Sequence, residues 1–277
     1  MNKTGVFALL IISSLQTAGW ATDPFDNWAN PNGGYAVAYP LYYGAQRITD
    51  NDGNTAVPNL RLHLYETILR YVYYFNKDPK RSGLINVLLP VGHQEILGRH
   101  DDGLGDPTLT TGVWLVNDPQ RHFYFALGGD VDLPIGHYDK NNPASLGQNV
   151  WKFRPLLNFA KFAPPVDVEG TVKYNISTEN VDTGLKQGNQ WQLGWYTGVF
   201  LGPQWLVGGH LNYFTGDDVK LNGTKIPNSG LRKFQSGPNV HWQPTARFFA
   251  MLEVLRDFAT RNTTEGTLFE GRLVYKL

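Results

Sequence analysis

Residues 166–177, VDVEGTVKYNIS, set Val166, Val168, Gly170, Val172, Tyr174 and Ile176 against Asp167, Glu169, Thr171, Lys173, Asn175 and Ser177. Successive side chains on a strand point to opposite faces, so this segment has one apolar face and one polar, charged face along its whole length. The pattern recurs. Phe123, Phe125, Leu127, Val131 and Leu133 alternate with His122, Tyr124, Asp130 and Asp132, and Trp151, Phe153, Leu157 and Phe159 alternate with Lys152, Arg154 and Asn158. Trp191, Leu193, Trp195, Val199 and Leu201 alternate with Gln190, Gln192 and Tyr196, and the last residues, Phe269, Gly271, Leu273, Tyr275 and Leu277, do the same. Strands of a soluble β-sandwich would alternate too, but they cluster around five or six residues, roughly half the length of these segments. Length therefore favours strands that cross a membrane.

Twelve such segments can be marked, at 34–47, 59–75, 82–97, 103–118, 121–136, 148–163, 166–181, 188–202, 205–218, 231–245, 247–261 and 265–277. The even-numbered connections are brief and contain proline (NKDPKR, DPQ, APP, GPQ, QPT), whereas the odd-numbered ones are mostly longer and more polar, such as HYDKNNPASLG and GDDVKLNGTKIPNSG. Short turns at one end and long loops at the other predict an all-β, up-and-down antiparallel transmembrane barrel, with the short turns and both termini on the periplasmic side. The apolar face of 166–176 then meets lipid, and Asp167, Glu169, Thr171, Lys173 and Asn175 face a wet lumen. Pro90, Gly92, Pro155, Gly237 and Pro238 mark places where strand pairing loosens or bulges.

The N-terminus predicts export. Lys3 precedes the apolar run Val6 to Ile12, and small residues around Ala18-Gly19-Trp20-Ala21 suit a signal cleaved after Ala21, leaving Thr22 as the mature start. The run is too short for a spanning helix. This divides the chain into a signal at 1–21, a short segment at 22–33 and the barrel at 34–277. The 24 basic and 24 acidic residues cancel, so no net field favours nucleic acid, and the absence of cysteine removes disulfides and thiolate chemistry.

Eight strands leave an interior that side chains fill, and sixteen to eighteen leave an open channel, so about twelve predict a narrow or easily blocked lumen. By alternation the lumen-lining set comprises Glu66, Arg70, Asp106, Asp130, Asp132, Lys152, Arg154, Asp167, Glu169, Lys173, His210, Asn212, Asn239, His241, Glu253, Glu270 and Arg272. Both signs are plentiful, and unpaired charges in a confined space are costly, so pairing across strands is expected. No catalytic residue, metal or cofactor is expected. The seven histidines, His63, His93, His100, His122, His137, His210 and His241, fall in no hydrolase motif, and GxSxG does not occur. His100 with Asp101, Asp102 and Asp106 could hold a cation, but the run DDGLGD reads better as a glycine-permitted loop. The alternatives to a channel are a surface adhesin or structural barrel and a lipid hydrolase.

The runs GLGDP (103–107), LPIGHYD (133–139), NPASLGQNVWKFRP (142–155), YNISTENVDT (174–183) and the closing GRLVYKL resemble the outer-membrane channel family found with meta-pathway phenol and aromatic degradation. The resemblance extends from GGYAVAYPLYYGAQRITDNDGN to the C-terminus. It implies a monomeric twelve-stranded barrel in the outer membrane that takes up small hydrophobic molecules, with the segment before the first strand folded into the lumen. Residues 22–33, TDPFDNWANPNG, match the position of that inner segment, and Phe25 and Trp28 are its natural plugs; the alternative is a disordered linker. Aromatic specificity rests on the resemblance alone.

Overall fold

The computed structural model describes residues 25–277; the signal expected over 1–21 and the mature start at Thr22 lie outside the described residues. The strands are β1 (Gly33–Thr49), β2 (Thr55–Phe75), β3 (Gly83–Ile96), β4 (Arg99–Leu104), β5 (Thr108–Asp118), β6 (Phe123–Asp132), β7 (Lys152–Ala163), β8 (Val166–Ser177), β9 (Leu185–Lys186), β10 (Gln190–Phe200), β11 (Trp205–Gly216), β12 (Lys220–Leu221), β13 (Thr224–Lys225), β14 (Arg232–Trp242), β15 (Phe248–Arg261) and β16 (Thr264–Lys276). β4 and β5 are two halves of one wall strand, both paired to β3, while β9, β12 and β13 form a small separate sheet among the long loops. Each wall strand pairs antiparallel with its sequence neighbour, and β16 pairs with β1, closing a barrel of twelve strands. All twelve segments marked in the sequence are strands. Closure leaves no free sheet edge, so the wall's backbone is satisfied without water. Among the described residues no helix is long and apolar enough to cross a membrane; the crossing is made by strands.

The outer face is apolar around the circumference. Leu69, Ile85, Leu127, Leu157, Leu193, Leu211 and Val254 are all exposed on it. Aromatic residues flank this belt. Trp205 and Trp242 lie face to face near the short turns at 6.1 Å, and Tyr174 with Trp191 (4.6 Å) marks the long-loop end. Such girdles hold a barrel at the two membrane interfaces, where an amphipathic ring has one side in lipid and one in water.

The inner face differs from the expected polar lining. Charges line most of it, from β6 through β16 and at Arg70 of β2, but β1 and the rest of β2 turn Val37, Tyr39, Leu41, Leu62, Leu64 and Ile68 inward as a continuous buried apolar cluster. Alternation fails to reveal this wall because β1, GGYAVAYPLYYGAQRIT, is apolar or aromatic on both faces. The lumen is also less wet than expected. Asp167 and Glu169 are fully covered, for reasons given below.

The prolines act in two ways. Arg154 and Pro155 fall in a gap of the β7–β8 ladder, and Gly237 and Pro238 in a gap of β14–β15, yet the register is the same on both sides of each gap. These are missing hydrogen bonds, as a residue without an N–H requires, and not bulges. At Pro90 the ladder does shift, because β3 passes from β5 to β4 across the break at 105–107.

Asp106 stands in that break and not on a wall strand. Its carboxylate accepts from the Gly136 amide (3.0 Å) and the Gln148 amide (2.8 Å). Asp101 accepts from Leu146 N (3.0 Å) and pairs with His137 Nδ1 (2.6 Å). The two acids therefore fasten the 133–151 loop inside the outer mouth, where Ala144, Ser145, Leu146 and Gln148 are buried. Asp102 pairs instead with His93 across the β3–β4 ladder (2.8 Å), so DDGL lies on a strand and not in the loop expected for DDGLGD, and Gly105 and Asp106 alone of that run fall in the break.

Candidate functional site

The inner segment from Phe25 to Asn32 crosses the lumen toward the short-turn end. Four strands hold it. The Phe25 and Asn27 amides donate to the two carboxylate oxygens of Glu169 on β8, at 2.5 and 3.2 Å. Trp114 Nε1 of β5 donates to the Asn27 carbonyl at 3.2 Å. On the opposite wall Asp26 bridges two arginines, binding Arg70 of β2 at 2.8 Å and Arg272 of β16. Asn76, just beyond β2, donates to the Ala29 and Asn30 carbonyls at 2.8 and 2.9 Å. Five backbone groups of the segment, which would otherwise be stranded away from bulk water, thus find partners on the barrel.

Aromatic packing completes the seat. Phe25, with φ of 69°, is turned into contact with Phe200, His241 and Phe249 at centroid distances of 6.2, 5.9 and 5.8 Å. Trp28 stacks on Tyr124 at 5.6 Å and leans on Phe162 at 5.8 Å, and Phe25 and Trp28 meet edge to face at 5.5 Å. The segment separates two cavities. One of about 310 Å³ on the short-turn side is lined by Trp28, Val72, Phe248, Phe249 and Arg272. The other, of about 100 Å³, lies on the far side among Asn86, Leu88, Thr110, Asn158 and Lys173. Asp26 and no other residue of the inner segment but Phe25, Asn27, Trp28, Asn30 and Pro31 touches either space, and Asp26 touches both.

The remaining charges fall into separate clusters. Arg154 lies between Asp132 (2.7 Å) and Asp130 (3.4 Å), with Lys173 at 3.5 Å from Asp130 and Thr108 donating to Asp132 at 2.5 Å. Lys152 is buried beside this group on β7. A second cluster joins His210 to Glu253, with Asn239 donating to the same carboxylate oxygen at 3.2 Å. Asn212 reaches Gln235 at 3.5 Å. Moving each ion out of water costs several kcal/mol, and attraction with further hydrogen bonds offsets it; around Arg154 these come from both aspartates, whereas Glu253 Oε1 in the second cluster has no hydrogen-bond partner among the described residues. Glu270 and His241 are buried on the same inner face, and Glu66 is half-buried.

Three participants escape a reading by alternation. Asp26 lies outside any strand, and its partners are 44 and 246 residues away. Asp257 accepts from Tyr43 (2.6 Å) and Gln235 (3.0 Å) and pairs with Lys233 (3.4 Å). Its parity with Glu253 on β15 is the available signal, but the intervening Leu255 faces inward and Arg256 outward, inverting the local pattern. Lys233 is obscured in the same way, because it precedes an inward glutamine and follows Arg232.

Comparison with known proteins fits this architecture. The crystal structure of the COG4313 outer membrane channel from Pseudomonas putida F1 superposes with a TM-score of 0.86 at 19% identity, covering 92% of this chain and 100% of that one. The translocator domain of autotransporter NalP from Neisseria meningitidis gives 0.54 at 8% identity, covering 95% of this chain and 94% of that one. The NanC porin gives 0.52 at 8% identity, covering 87% and 100%. These likenesses concern the fold, and one fold serves several functions. No curated protein matches the chain. A family model matches residues 45–273, most of the barrel, and the chain accordingly belongs to the family described as "Putative MetA-pathway of phenol degradation".

Proposed function

We propose that this protein is a passive outer-membrane channel for small hydrophobic or aromatic molecules, working as a monomer with the inner segment as its plug. The observation that carries the reading is the seat of Phe25 to Asn32 across the lumen, between two cavities and against aromatic side chains. A barrel serving only as a membrane anchor has no need of a partition between internal spaces. The apolar wall of β1 and β2 supports a hydrophobic solute, because such a solute loses no hydrogen bonds on passing along it. Family membership and the likeness to an outer membrane channel point the same way. The buried charges serve as cross-braces between strands and as a polar lining opposite that wall, with no covalent chemistry assigned to them.

The test is single-channel recording in planar bilayers, comparing the mature protein with a variant lacking residues 23–32. Small or flickering currents that grow several-fold on deletion are expected. Silence from both proteins would overturn the reading and favour an adhesin or structural barrel.

A further inference from the structure

We infer that Arg70 and Arg272 form a carboxylate-binding site, that Asp26 occupies it as an internal stand-in, and that aromatic acids compete with Asp26 for it. The inference rests on the channel reading above and names the class of solute that such a channel would recognise.

The geometry is that of a built anion site. Two guanidinium groups, on strands at either side of β1, converge on one carboxylate, with one oxygen to each. Both arginine side chains are more than nine-tenths buried. They are also held in place from outside the pair. Arg70 donates to Tyr39 Oη at 2.8 Å, and the Arg272 guanidinium lies over the Phe249 and Tyr39 rings at 5.0 and 5.6 Å. The cations are thus pre-positioned on the wall, whereas the acid rides on a segment that belongs to no strand. Guanidinium suits this role because its planar fork matches a carboxylate and never loses its charge.

The space beside the site specifies the rest of the ligand. The 310 Å³ cavity opens onto Arg272, with Arg247 and Lys276 also at its boundary, and Phe25, Tyr74, Phe248 and Phe249 are among its apolar walls. A flat apolar ring carrying one carboxylate has its ring among aromatics and its charge at the arginines. A neutral ring of the same size fits the cavity but has nothing to exchange for Asp26. An intramolecular competitor weakens apparent affinity by the fraction of time that it holds the site. Its removal should therefore tighten binding of an aromatic acid and leave a neutral analogue unchanged.

The experiment is equilibrium dialysis of the full mature protein in detergent with labelled benzoate, and with benzyl alcohol as the neutral analogue, at neutral pH. The wild type should bind benzoate weakly. Asp26→Asn should bind it about tenfold more tightly or better, and adding Arg272→Gln should abolish the gain. Benzyl alcohol should show equal affinity for all three proteins. Equal benzoate affinity in wild type and Asp26→Asn, including no binding to either, overturns the inference, and so does an equal gain for benzyl alcohol. If Asp26→Asn does not fold, Asp26→Ala provides the same comparison with the aromatic boundary of the cavity kept. Failure of the channel reading appears separately, as absence of current in the bilayer experiment.

Discussion

At the scale of single residues the inner segment is held by two carboxylates, Glu169 on the wall and its own Asp26, and the second makes its ion pairs. Burial alone would raise the pKa of Asp26, but Arg272 and Arg70 outweigh it and hold the carboxyl below its ordinary value of 3.8. A group depressed in the folded state contributes its full stabilisation above the unfolded value and loses it only as pH falls through the lower folded one. Protonation of Asp26 should therefore add a rise in channel conductance only below about pH 4, near the free carboxyl value. Asp26→Asn should lack that acid rise. The same acid rise in Asp26→Asn would contradict the assignment. Residues on strands were open to sequence reasoning because a side chain's face follows from its neighbours two positions away. Asp130, Arg154 and Glu169 were legible in that sense as inward positions, but their partners were not, since register between strands is set by the whole sheet. Asp26 was out of reach of periodicity altogether.

Among the elements, alternation identified all twelve wall strands because lipid on one side enforces it over ten or more residues. It was least informative where both faces are apolar. In β1 and β2 the inner face packs Tyr39, Leu41, Leu64 and Ile68 against one another, so no polarity contrast marks the inside. Strand contacts also depend on positions that a pattern cannot weigh, of which Gly237 is one. A Cβ there would lie 1.8 Å from the Val254 carbonyl oxygen and 3.1 Å from Leu255 Cα, backbone atoms that move only if β14 and β15 part. Gly237→Ala should destabilise the folded barrel by roughly 1–3 kcal/mol, the usual range for forced overpacking. Heat-modified mobility on gels and urea titration in detergent would measure it, and an unchanged midpoint would show that the two strands yield freely.

For the molecule as a whole, the apolar belt makes lipid the solvent of the outer face. Leu157, at the middle of β7 and exposed there, is a fair probe of it. Leu157→Arg should cost about 2–4 kcal/mol if its position is at the bilayer midplane, whereas Leu157→Phe should be tolerated. Folding titrations into lipid vesicles would decide, and equal stability of the two variants would remove the belt from the membrane. The lock at Asp26 also has a meaning in time. Its Arg272 partner lies on β16, the strand that closes the barrel against β1. The contact between Asp26 and Arg272 can therefore form only when the last strand has docked, whereas those to β2, β5 and β8 do not depend on it. The two ends of the chain thus report on each other, and an inner segment bound at both arginines marks a barrel whose seam has closed.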